Sequence, residues 1–212
     1  MHSPYADATT SRFYNLLFCD EPSLFTGPDA NGHSSADAQG NTNSGFQNGA
    51  ANAGQDWSDP RWRLLRYRQQ AANGQAIAVR ELLGMVVEIG MDHGLEVLAS
   101  YPNGSHRYIN QLGSILIWEA TEDQEMQDLT SRLFAEGLRI MNQIGPWDQA
   151  RRPAPTLGMA RISMLGSDGI YFGEAGVNQL FRDPLAAPAL QTATQILRLL
   201  VQKGRPATGN AV

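Results

Sequence analysis

Residues 82–120 constrain the fold more than any other part of the chain, because they read as four short strands joined by three tight turns. Val86, Val87 and Ile89 carry the first strand, which the triplet Asp92, His93, Gly94 breaks. Residues 95–101 form the second, ended by Pro102, Asn103, Gly104 and Ser105. Residues 106–110 and 114–119 follow, with Gln111, Leu112 and Gly113 between them. Asn-Gly between two alternating runs is the strongest short-range hairpin signal, since both residues accept the positive φ of a type I′ turn. An antiparallel meander is therefore predicted at the centre of the fold.

Helices flank it. Ser58, Asp59 and Pro60 offer a capping side chain and a first-turn proline, and Asn73 with Gly74 closes the helix they open. After the meander, residues 121–124 (Thr, Glu, Asp, Gln) read as a capping box. Met126, Leu129, Leu133, Ile140, Met141 and Ile144 then recur at helical spacing until Gly145 and Pro146. Two more strands are expected at 157–165 and 169–172, a turn of helix near 177–181, and a final helix with Leu190, Ala193, Ile196, Leu197, Leu200 and Val201 on one side. This order predicts an α+β fold: an antiparallel sheet of about six strands with amphipathic helices on one face.

The N-terminal quarter differs in kind. Residues 27–57 hold six Gly and five Asn but no Leu, Ile, Val, Met, Lys or Arg, a composition that cannot bury enough surface to offset backbone entropy. The organisation expected is a short apolar helical segment at 1–26, capped from Thr9, Thr10 or Ser11, a flexible loop at 27–57, one α+β domain at 58–204 and a disordered tail at 205–212. Phe13, Leu16 and Leu17 give the first segment an apolar surface that must dock on its own domain, on a second copy or on another partner.

The formal charge of −5 argues against a nucleic-acid protein, since phosphate binding needs clustered positive charge. The densest positive run is Arg61, Arg63, Arg66 and Arg68, but on a helix these split into two groups rather than one stripe. A solvated helix that neutralises the acidic N-terminal region is the simpler reading beside an anion site. The lone Cys19 excludes an intramolecular disulfide, and no signal peptide or apolar run of membrane-spanning length is evident. The expected setting is the cytoplasm, without membrane contact.

No phosphate-cradling glycine loop, dinucleotide fingerprint or nucleophile elbow occurs, and the four histidines show no metal-ligand spacing. No cofactor or metal is expected. One charged constellation survives. If Asp92, His93 and Gly94 form a three-residue loop, Ile89 pairs with Val97 and Val87 with Ala99; the next turns pair Tyr101 with His106 and Tyr108 with Leu116. Period two then places Val87, Ile89, Val97, Ala99, Tyr108, Leu116 and Trp118 on a core face. Glu88, Glu96, Ser100, Arg107, Ile109, Ile115, Ile117 and Glu119 fall on the other. That mixed face is either a half-solvated surface with ordinary cross-strand pairs or a ligand surface where Arg107, among Glu88, Glu96 and Glu119, reads a carboxylate. Glu174 follows a strand ending in glycines, a common place for functional loops.

With no catalytic set, the sequence points first to a non-catalytic interaction or accessory domain, an adaptor or an immunity-type binder, with a protein partner or a second copy. The alternatives are a small-molecule-binding module using the mixed face, or an enzyme lacking a strong local motif.

Overall fold

The computed structural model describes residues 4–20, 58–119 and 122–203; the loop expected at 27–57 and the tail expected at 205–212 lie outside them. The elements are α1 (Ala8–Leu16), α2 (Pro60–Ala72), β1 (Leu82–Met91), β2 (Gly94–Ser100), β3 (His106–Ile109), β4 (Ile115–Trp118), α3 (Gln124–Met141), β5 (Met159–Gly166), β6 (Gly169–Gly176), α4 (Val177–Leu180) and α5 (Ala187–Lys203). The fold is α+β. Its six strands pair antiparallel throughout, in the order β4-β3-β2-β1-β5-β6.

Aspartates start three helices. Asp7 accepts from Thr10 N at 2.6 Å, Asp59 from Arg61 N at 2.9 Å and Asp123 from Met126 N at 3.2 Å, each satisfying a first-turn N–H that has no partner within the helix. The first cap is thus Asp7 rather than Thr9, Thr10 or Ser11, and the third is Asp123.

The helices do not keep to one face of the sheet, which corrects the layout expected from the sequence. Met126, Leu133 and Met141 of α3 and Leu190, Ile196 and Leu200 of α5 pack with Met85, Val87, Leu98, Ile162 and Met164 on one face. On the other, Tyr14 of α1, the following Leu17 and Phe18, and Leu64 and Leu65 of α2 pack with Leu83, Val86, Val97, Ala99, Ile109 and Leu165. The physical reason lies in β1, where Leu82, Leu83, Met85, Val86 and Val87 are all buried. A strand without apolar–polar alternation needs cover on both sides. Each such side chain contributes about 1.5–3 kcal/mol when removed from water.

The turn after β1 also corrects the faces. Met91 pairs with Gly94, so the loop is only Asp92 and His93, and Gly94 takes φ 151°. Gly94 has no room for a side chain, since a Cβ there would meet Gln111 O at 2.5 Å. One residue fewer in the loop exchanges the two sides of β2. Glu88 now faces Val97 and Val86 faces Ala99, while Glu96 joins Ile89 and Ser100 joins Met85. The next turn pairs Ser100, rather than Tyr101, with His106. The β3–β4 register, with Tyr108 opposite Leu116, is as the sequence predicts. Among the described residues no helix is long and apolar enough to cross a membrane.

Candidate functional site

The sequence-derived charged set does not converge on one site. Glu96 lies on the α3/α5 face, where its carboxylate accepts from the Tyr108 hydroxyl and from Gln111 N. Arg107 lies on the opposite face and is buried, not half-solvated. Its Nη1 donates to the carbonyls of His106 (2.9 Å) and Trp118 (3.0 Å), and its Nη2 to Glu119 at 2.8 Å. This guanidinium clamps β4 to β3 and, among the described residues, pairs with no carboxylate besides exposed Glu119. Of the apolar trio at the N-terminus, Leu17 is buried against the sheet, Phe13 packs beside that core and Leu16 is half-buried.

Glu88 and Glu174 do meet, through a residue the sequence reading passed over. Glu88, Arg161 and Glu174 occupy matching positions on β1, β5 and β6. Arg161 Nε donates to Glu174 at 2.7 Å, and Arg161 Nη1 stands 3.5 Å from Glu88 Oε2. Tyr14 of α1 donates its hydroxyl proton to Glu88 Oε1 at 2.6 Å. Burial raises the Glu88 carboxyl above its ordinary pKa, against the pull of Arg161 and the Tyr14 hydrogen bond.

This network backs a cleft of about 450 Å³. Tyr14 and Asn15 of α1, Asp20 a few residues beyond it, Arg68 of α2, Trp147, residues 149–154 and Gly169 with Ile170 of β6 line it. Trp147 is held to β6 by its backbone N–H, which donates to Ile170 O at 2.7 Å, and by an edge contact of its ring with Phe172 at 5.2 Å between ring centroids. Arg151 is fixed by Asp20 (2.8 Å) and Asn15 (2.6 Å), with its guanidinium 3.9 Å from the centre of the Phe18 ring. These contacts orient the cleft's polar groups before any ligand arrives, which lowers the ordering cost of binding.

Arg68 differs from the other basic residues of α2. Arg61 is paired with Asp59 and Arg63 with Glu81, whereas Arg68 reaches the cleft. Its Nη2 is buried and has no hydrogen-bond partner among the described residues. Desolvation lowers its pKa, only partly offset by Asp20. In and behind the cleft, the guanidinium groups of Arg68, Arg151, Arg152 and Arg161 outnumber the carboxylates of Asp20, Glu88 and Glu174. Four guanidinium groups against three carboxylates leave an excess of positive charge.

Arg161, Tyr14 and Arg151 were not singled out in the sequence, and Arg68 entered only as one of the four arginines of α2. Arg161 interrupts an apolar strand, which was the available signal, while the other three are brought together only by packing of α1 and α2 on the sheet. No protein-family model matches the chain, and no curated protein sequence matches it.

Proposed function

We propose that this protein is a non-catalytic binding module whose ligand is a small molecule bearing a carboxylate, held in the cleft between α1, α2 and residues 147–154. The observation that carries the reading is the unpartnered, buried Nη2 of Arg68 in a cleft with excess positive charge. Leaving a buried charged donor unsatisfied costs about 1–3 kcal/mol or more, and a carboxylate would relieve that cost. A volume of about 450 Å³ suits a small organic ligand. The carboxylate-binding role considered for Arg107 passes to Arg68, because Arg107 is already engaged by two carbonyls and Glu119. Arg151 and Arg161 are recessed, and the cations of the cleft are partly balanced by Asp20 and Glu174, which supports a small ligand over a nucleic-acid backbone.

The test is calorimetric titration of the full chain with a panel of small carboxylates, beside matched uncharged amides. Binding of carboxylates alone, lost in Arg68→Gln, is the expected outcome. Equal binding of acids and amides, or an Arg68→Gln protein that binds as well as the parent, would overturn the reading.

A second reading, a protein-interaction role, rests on the outer edge of β4. Ile115, Leu116, Ile117 and Trp118 form an apolar strand with no further strand beside it among the described residues. Such an edge is a template for strand addition.

A further inference from the structure

We propose that the ligand of the cleft is a zwitterion of the α-amino-acid class with an apolar side chain, its carboxylate on Arg68 and its ammonium on Asp20. The inference rests on the carboxylate reading above and adds to it a second unsatisfied atom. Asp20 Oδ2 accepts from Arg151, but Asp20 Oδ1 is buried without a hydrogen-bond partner among the described residues. Two residues that line the cleft therefore hold one orphan donor and one orphan acceptor of opposite charge, both buried. A simple carboxylate would satisfy Arg68 and leave Asp20 with its acceptor bare; an amine would do the reverse. A ligand carrying both groups answers each, and two charge-assisted hydrogen bonds are the strong kind.

The rest of the wall states the side chain. Trp147, Pro153, Ala154 and Ile170 give the cleft an apolar flank. An apolar or aromatic group laid there is removed from water without stranding a polar atom. Asp20 is well placed for specificity because its position is fixed: the residue before it, Cys19, adopts φ 49° and is buried, and Arg151 holds the carboxylate from the far side.

The experiment titrates the full chain with L-phenylalanine, 3-phenylpropanoate and phenethylamine, the last two each lacking one charge. L-Leucine and L-glutamate probe the side chain. Phenylalanine is expected to bind at least about tenfold tighter than either analogue, the difference one good charged contact makes. Asp20→Asn should weaken phenylalanine by a similar factor while leaving 3-phenylpropanoate unchanged or tighter, since a like charge has been removed. Leucine should bind better than glutamate. Equal affinity for phenylalanine and 3-phenylpropanoate in the parent protein would overturn the zwitterion while leaving the carboxylate reading intact. Binding of none of the carboxylates would overturn both. The comparison of ligands on the unaltered chain decides the matter even if Asp20→Asn, having lost part of its grip on Arg151, fails to fold.

Discussion

Glu88 and Arg161 are register partners on β1 and β5, with 3.5 Å between Glu88 Oε2 and Arg161 Nη1, and neither is more than 3% exposed. The two ends of this contact are unequal. Arg161 has a second carboxylate in Glu174, whereas Glu88 has no other cation at ion-pair distance among the described residues and depends otherwise on the Tyr14 hydroxyl.

That inequality sets the first prediction. Arg161→Met leaves a carboxylate buried without its counter-ion and is expected to cost about 3–5 kcal/mol, the usual penalty for breaking a buried pair from one side. Glu88→Gln keeps an acceptor for Tyr14 and leaves Arg161 with Glu174, so its cost should stay near 1 kcal/mol, a hydrogen bond's worth. Urea unfolding of the two variants measures both. Similar losses would mean that Glu174 does not hold Arg161 when Glu88 is neutral.

The strands and helices were legible in the sequence because turn chemistry and apolar periodicity are local. Asn103 and Gly104, Asn73 and Gly74, and Asp59 before Pro60 each marked an end where the structure has one. What was not legible depended on one residue at each of two turns. The Asp92–His93 loop is two residues long rather than three, and that single step moved Glu96 away from Arg107 and brought Val97 and Ala99 to the α1/α2 side. Period two makes a strand inherit the error of the turn before it, and β3 and β4 escaped only because the turn after β2, which pairs Ser100 with His106, differs by one residue as well. The apolar run at residues 82–87 of β1 is the mark of a strand buried on both faces, which the expectation of helices on one face passed over. The cleft was beyond reach for another reason. Asp20, Arg68 and Arg151 are far apart in the chain and meet only through tertiary packing.

Acid sensitivity should trace to His106. Its Nδ1 lies 2.9 Å from Ser100 Oγ and its Nε2 3.1 Å from Thr130 Oγ1. Thr130 donates its own proton to Met126 O at 2.7 Å, so the ring donates from Nε2 and accepts at Nδ1. Burial, with Arg107 nearby, lowers its pKa from 6.5 to about 4. A lowered histidine pKa means the unfolded chain takes up the proton first. The associated stability is present above pH 6.5 and is lost as pH falls toward 4; it amounts to about 3 kcal/mol. The raised carboxyl of Glu88 acts in the opposite sense, gaining stability on acidification, and is common to both proteins if the parent is compared with His106→Gln. The parent should lose more stability across this window than the variant. Parallel pH profiles would exclude His106 as the sensor.

Arg107 and Glu119 form an ion pair whose partners should differ greatly in cost. Glu119 is 67% exposed, so Glu119→Ala removes a screened surface contact and is expected to cost below about 1 kcal/mol. Arg107→Ala strips the donor from the carbonyls of His106 and Trp118 and opens space in a buried face, which should cost about 2–3 kcal/mol. Because one of those carbonyls belongs to β4, hydrogen exchange should show residues 115–118 losing protection first. An Arg107→Ala protein as stable as Glu119→Ala would place this guanidinium in solvent.

Gly90 fixes the far wall of the cleft, and a single methyl group there should disturb it. A Cβ at this position would lie 2.0 Å from Thr156 O and 2.4 Å from Thr156 C, both backbone atoms that no rotamer change can move aside. The approach is close because Gly90 bridges Leu157 and its carbonyl accepts from Gly158 N at 3.0 Å, pinning the segment that runs from the cleft residues into β5. Gly90→Ala must therefore displace that segment, with an expected cost of about 2–3 kcal/mol, toward the upper end for overpacking. Gly173→Ala on β6 is the control: nothing lies within 4 Å of its Cβ, so the change should be neutral or stabilising, by up to about 1 kcal/mol, through reduced freedom of the unfolded chain. Unfolding midpoints measure the first effect. Ligand titration measures the second, since displacement of residues 151–154 should weaken binding in Gly90→Ala but not in Gly173→Ala. Should Gly90→Ala unfold earlier yet bind as tightly as the parent, the position of those residues would be set from the α1 side, by Asp20 and Asn15 acting on Arg151, and not by the contact with β1.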